Sequence, residues 1–119
     1  MAKVLTPEQI EQYDREGFVC PLRALSEASA GALRNRIEAF EKAQACEAQQ
    51  ALAFKAHLPF SWLSDVITNP IILDAVEDIL GPNLLCWGSS FFQKNANDPR
   101  FVSWHQDTYY YGLEPPETL

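Results

Sequence analysis

Phe101-Val102-Ser103-Trp104-His105-Gln106-Asp107-Thr108-Tyr109-Tyr110-Tyr111 is the stretch on which the reading of this chain turns. Aromatic and β-branched residues flank a polar centre, the composition of a pleated strand. In a strand, residues two apart project from the same face, so the His105 imidazole and the Asp107 carboxylate are expected to reach one ion together. Such a pair supplies two of the three protein ligands of a facial triad, two histidines and one carboxylate, which leaves positions on iron(II) for a chelating cosubstrate and dioxygen. Alone, His-x-Asp is a short pattern that recurs by chance. Its bland reading is a strand histidine hydrogen-bonded to a nearby aspartate.

Working outward, Leu84-Leu85-Cys86-Trp87-Gly88-Ser89-Ser90-Phe91-Phe92-Gln93-Lys94 is too interrupted by glycine and serine for a good helix and reads as a second strand. The turn-rich Asn95-Ala96-Asn97-Asp98-Pro99-Arg100 joins the two. Earlier residues read mainly as helices, with Phe18-Val19-Cys20-Pro21 as a short extended piece between the first two. Thr6-Pro7-Glu8-Gln9 has a threonine N-cap, proline at the first helical position and glutamine placed to close a capping box, with Gly17 as a left-handed C-cap. Ser26 can cap a second helix whose Ala30, Leu33, Ile37 and Phe40 recur at helical spacing, opposite Arg34, Glu38 and Glu41. A third helix is expected over Trp62 to Ile67, stopping at Asn69-Pro70, and a fourth from Ile71 to Leu80, ending at Gly81-Pro82. Helices first and strands last is the order of an α+β protein.

The chain has 119 residues, 47% of them apolar, which suits one small domain with a modest core. Its net charge of −7, with nine lysines and arginines, argues against nucleic acid as a partner, since little is present to displace counterions from phosphates. No apolar run is long enough to span a bilayer and no secretory h-region stands at the start, so the expectation is a cytoplasmic protein without membrane partners. Cys20, Cys46 and Cys86 are odd in number and lack Cys-x-x-Cys spacing, which suggests neither a disulfide framework nor a thiolate zinc site. They read as small reduced apolar residues.

Three blocks, taken together, resemble one family. Leu5-Thr6-Pro7-Glu8-Gln9 with Gly17-Phe18-Val19, Asn69-Pro70-Ile71 through Val76-Glu77-Asp78-Ile79-Leu80-Gly81-Pro82-Asn83, and Trp104-His105-Gln106-Asp107 follow the order and spacing of the phytanoyl-CoA dioxygenase family. These are non-haem iron(II), 2-oxoglutarate-dependent oxygenases. The resemblance implies helices packed on the first strands of a double-stranded β-helix, or jelly-roll, core, with His105 and Asp107 as iron ligands. It implies Fe(II) as cofactor, 2-oxoglutarate as cosubstrate and dioxygen with a small organic molecule as reactants, giving succinate, carbon dioxide and a hydroxylated product. Halogenating relatives carry a small residue at the carboxylate position, so Asp107 implies hydroxylation. The ligand types agree with this: imidazole and carboxylate suit iron(II), whereas structural zinc takes four closed ligands, often thiolates.

Two further residues carry a cosubstrate-binding expectation from the resemblance. Gln93 ends the strand before the metal strand, and His57, with Lys55, lies in a segment that approaches the same pocket in relatives. Their bland readings are an exposed strand end and a structural histidine. The family's second histidine and the arginine that grips 2-oxoglutarate are expected beyond Leu119, because no arginine present sits in a matching position. Residues 1–119 therefore read as the N-terminal portion of a single domain, incomplete at its C-terminus. The substrate, the oligomeric state and the activity of the chain alone stay open. The competing reading is a jelly-roll module that holds a ligand without turnover, or an inactive fragment.

Overall fold

In the computed structural model, residues 2–105, 107–112 and 114 are described. Six helices form among them: α1 (Pro7–Glu16), α2 (Glu27–Gln44), α3 (Ala48–Ala51), α4 (Ser61–Ile67), α5 (Pro70–Leu80) and α6 (Thr108–Tyr111). The long helices form where local signals agree. Thr6 Oγ1 accepts from the Gln9 N–H while the Gln9 side chain accepts from the Thr6 N–H, so two otherwise orphaned donors are satisfied reciprocally. Gly17, at φ 79°, closes α1 in the left-handed region. Ser26 caps α2 by accepting from Ser29 N–H. Asn69 caps α5 through Ile71 N–H, and Pro70 at the first turn gives up a donor that had no helical acceptor.

The core is small and lies where α2, α3 and α4 meet. Ala48, Leu52, Ala56, Trp62 and Leu63 are buried, and Leu33, Ile37 and Phe40 of α2 pack on them with Phe60 and Phe91. The Phe40 and Phe60 rings meet edge to face at 5.4 Å, the geometry that aromatic quadrupoles favour. Arg36 lies over the Trp62 ring, 5.1 Å from its centroid, and shields the outer side of this cluster. The Glu41 carboxylate reaches past the end of α2 to accept from Ala48 N–H at 2.7 Å, which fixes α3 against α2.

A second anchor ties the N-terminal segment to α5. Asp78 accepts from the backbone N–H groups of Lys3, Val4 and Leu5 at 2.7 to 2.8 Å. Lys3 Nζ meets Asp74 and Glu77 on the same helix. These bonds seat Leu5, one of the few buried side chains.

The α+β jelly-roll expectation is not met: among the described residues there is no strand. Residues 83–105 form neither helix nor ladder and turn at Ala96 and Asn97. A strand needs a hydrogen-bonded neighbour, and the backbone bond that joins this stretch to the rest of the described chain is Ala56 N–H to the Ser89 carbonyl, at 3.2 Å. Pro99 removes one donor, and Asp98 turns the link by accepting from the backbone and guanidinium of Arg100. The tyrosine run expected to continue a strand instead coils into α6. There the Asp107 carbonyl accepts from Tyr110 N–H at 2.9 Å, a local bond that forms without a second strand. The cysteines are free, but Cys20 and Cys86 are exposed rather than packed inside.

Candidate functional site

His105 and Asp107 come together, although not as neighbours on one strand face. His105 follows a stretch with neither helix nor ladder, and Asp107 sits in the turn that opens α6, with its carboxylate beside the ring. His105 Nε2 and Asp107 Oδ1 are 3.0 Å apart, both on an exposed surface. The opposite ring nitrogen, Nδ1, lies 2.8 Å from the Ser103 carbonyl. A carbonyl can only accept, so Nδ1 carries the hydrogen and Nε2 is the nitrogen turned toward the carboxylate. The Ser103 carbonyl first, and then the Asp107 charge, hold the His105 pKa above its ordinary value of 6.5.

This arrangement fits an iron ion on two counts. With Nδ1 donating to a carbonyl, Nε2 in the neutral ring faces the carboxylate as a second acceptor, and two acceptors are held 3.0 Å apart only by something positive between them, a proton or a metal. Donors at right angles on a metal, each at roughly 2.1 Å, stand about 3.0 Å apart. No third histidine, cysteine or carboxylate joins them: among the described residues there is no group of three that could hold an ion. Gln106, between His105 and Asp107 in sequence, lies outside the described residues.

Beside Asp107 opens a groove of about 620 Å³. Val66 and Ile67 of α4, Ile72, Leu73, Val76 and Leu80 of α5, and residues 83–88 form its walls, with Asp107 and Tyr111 at one end. The apolar face of α5 thus has a use that sequence periodicity could not assign, since a core face and a groove wall have the same spacing. Trp87 stands at the same end, its ring 6.3 Å from that of Tyr111.

The other two expected residues do not line this groove. His57 is buried and bonded to Ser89, next in sequence to groove-lining Gly88. Gln93 donates its backbone N–H to Gln49, and its own Oε1 is buried with no partner among the described residues. Lys55 Nζ lies 4.9 Å from the Trp87 ring centroid and 5.3 Å from that of Phe54. Lys55 and His57 thus face Trp87 and Ser89, two pairs with matching spacing of two. That parity was present in the sequence, but Ser89 and Trp87 carried no chemical signal until their partners were known.

The model of the phytanoyl-CoA dioxygenase family matches residues 13–119. The chain belongs to the phytanoyl-CoA dioxygenase family. No curated protein and no solved structure matches it. The family's name carries a dioxygenase activity, and the matched span includes His105, Asp107, the groove and the Lys55–His57 segment.

Proposed function

We propose that this chain bears the iron-binding half-site of an Fe(II)- and 2-oxoglutarate-dependent dioxygenase that hydroxylates a small organic substrate. The observation that carries the reading is the His105–Asp107 pair, converging at 3.0 Å with its ring locked by Ser103, inside a sequence of this family. His105 would offer the Nε2 lone pair and Asp107 a negative oxygen. When bound there, iron with 2-oxoglutarate and dioxygen supplies oxidising power toward a C–H bond that no side chain possesses.

The rest of the work falls to the protein. Ser103 holds the imidazole in the ligating tautomer, so no reorientation is needed when the metal arrives. The walls of α4 and α5 receive the apolar body of a substrate, and Trp87 and Tyr111 offer it aromatic faces beside Asp107. His57 and Gln93 are proposed to meet the cosubstrate. For Gln93 the support is its buried, unbonded amide end; rotated by half a turn, that end becomes a donor suited to a carboxylate. Asp107 fills the position that a halide would need, so the product is a hydroxylated one.

Two ligands do not make a facial triad, and Arg100 is already committed to Asp98. The third ligand and an arginine for the far carboxylate of 2-oxoglutarate are therefore proposed to come from outside these 119 residues. A cytoplasmic setting, which keeps iron(II) and free thiols reduced, accompanies the proposal. The test is succinate formation from 2-oxoglutarate in a preparation that supplies the missing ligand. Succinate that requires both Fe(II) and His105 supports the reading, and metal binding without succinate under any substrate defeats it.

A further inference from the structure

Helix α5 has two unlike sides. Asp74, Glu77 and Asp78 recur at helical spacing on one of them, and the N-terminal segment takes all three: Asp78 through the backbone N–H groups of Lys3, Val4 and Leu5, Asp74 and Glu77 through Lys3 Nζ. Ile72, Leu73, Val76 and Leu80 lie on the other side and line the groove, facing Val66 and Ile67 of α4. The acidic groups of the helix are thus spent away from the groove. Among the described wall residues the charged one is Asp107, which the half-site uses, while Asn83 and Tyr111 supply neutral groups able to meet a hydroxyl or a carbonyl. The volume of about 620 Å³ falls in the range of small-molecule sites.

We infer that the groove takes an uncharged, largely hydrocarbon molecule and disfavours one that carries a carboxylate or a phosphate. An anion laid there would give up water against aliphatic side chains and face the Asp107 carboxylate, in a chain whose net charge is already −7. A neutral hydrocarbon body gains from the same walls, since burying its apolar surface is favourable and leaves no charge without a partner. Lys55 is the cation held against Trp87, its amine 4.9 Å from the ring centroid, and it is not one of the described wall residues. The inference deepens the reading of the groove as the substrate's place and rests on it.

The groove carries its own reporter. Cys86 is an exposed free thiol on its wall, and Cys20 is an exposed free thiol that does not line it. Alkylation of the whole chain by iodoacetamide, followed at each cysteine by peptide mass spectrometry, therefore measures occupancy with an internal control. Octanol should slow alkylation of Cys86 severalfold and leave Cys20 unchanged. Octanoate, at a pH where it is ionised, should need a concentration about tenfold higher for the same protection, the cost of setting a charge against apolar walls. Leu73→Gln makes the wall polar while keeping a good helix former, and it should weaken the protection by octanol severalfold. Octanoate that protects as well as octanol overturns the inference and makes Lys55 the anchor of an anionic ligand. Octanol that leaves Cys86 unprotected, or slows both cysteines alike, overturns it too, as does full protection in a folded Leu73→Gln chain; the first two readings come from the native chain and do not depend on the variant. Because neither iron nor 2-oxoglutarate is added, failure of the dioxygenase reading appears separately, in the succinate assay.

Discussion

Residues 5–80 and residues 83–105 are built by different kinds of information. In the first region, the three longest helices are started by side chains within three residues of their ends, Thr6, Ser26 and Asn69, and two of them stop at a glycine, Gly17 and Gly81, while the short α3 and α4 have no side-chain cap. In the second, the backbone forms neither helix nor ladder, Phe91 packs on the core while Trp87, Phe92, Phe101 and Trp104 face water, and Trp104 and Phe101 rank among the most exposed described residues. Caps work over one turn and need no partner, whereas a strand is stable only when a neighbour takes its N–H and C=O groups. The region that can fold from local signals does so. The region that ends at His105 forms no such ladder among the described residues.

The sharpest break of that comparison should come from the exposed region in chemistry and from the helical region in stability. In a preparation competent for turnover, His105→Ala or Asp107→Ala is expected to lower Fe(II)-dependent succinate formation about a hundredfold or more, since losing a ligand should exceed the loss caused by second-shell changes. Far-UV circular dichroism should stay at the native level, because both side chains sit outside the core. Equal loss of helix signal would mean that the pair holds the fold rather than a metal.

Stability should divide the other way. Trp62→Ala removes a buried ring that touches Phe60 and carries Arg36, and it should cost about 3–5 kcal/mol by denaturant titration. Trp104→Ala removes a ring of the same kind from full exposure and should stay within about 0.5 kcal/mol. Similar costs at the two positions would show that residues 101–104 are packed in solution.

The exposed region should also make the isolated chain self-associate. Leu85, Phe92, Phe101 and Trp104 are exposed apolar side chains on a stretch that forms no ladder among the described residues. The net charge of −7 opposes association at low salt, so sedimentation should show larger species as salt is raised and the repulsion is screened. Phe101→Ser with Trp104→Ser should shift the distribution toward monomer. The same chain, whose proposed ligands are His105 and Asp107 and whose Arg100 is paired with Asp98, should turn over no 2-oxoglutarate by itself; turnover by a purified monomer would place the third ligand within these residues.

Legibility in the sequence follows the same division. The capping box at Thr6 and Gln9 and the Pro70 start of α5 could be read directly, because each is a bond between residues close in sequence. Residues 84–94 read as a strand and none forms there among the described residues, since alternation and aromatic content describe a strand's surface and say nothing of its neighbour. His105 and Asp107 were visible as chemistry, but the geometry that unites them is a turn, set by Asp107 and Tyr110, where spacing alone suggested a flat strand. Ser89 and Asp78 could not be singled out at all. A serine and an aspartate gain meaning from partners 32 and more than 70 residues away.

Asp78 yields the smallest effect expected and the most local one. Its carboxylate is held below the ordinary value of 3.8, first by the Leu5 and Val4 N–H groups and further by the N–H and charge of Lys3. A carboxylate whose pKa is lower in the folded state contributes its stabilisation fully above the unfolded value and loses it as pH falls through the folded one. The N-terminal attachment should therefore be intact above about pH 4 and should release below pH 3.8, where Asp78 begins to take up its proton. Amide hydrogen exchange at Val4 and Leu5 reads this directly: protection there should fall with acid before it falls in α2, whose cap is an uncharged serine. Asp78→Asn should give the low protection at neutral pH, because an amide can accept from fewer of the three N–H groups and carries no charge to meet Lys3. Protection that survives to the unfolding of α2 would mean that Leu5, buried beneath the attachment, holds the segment by packing alone.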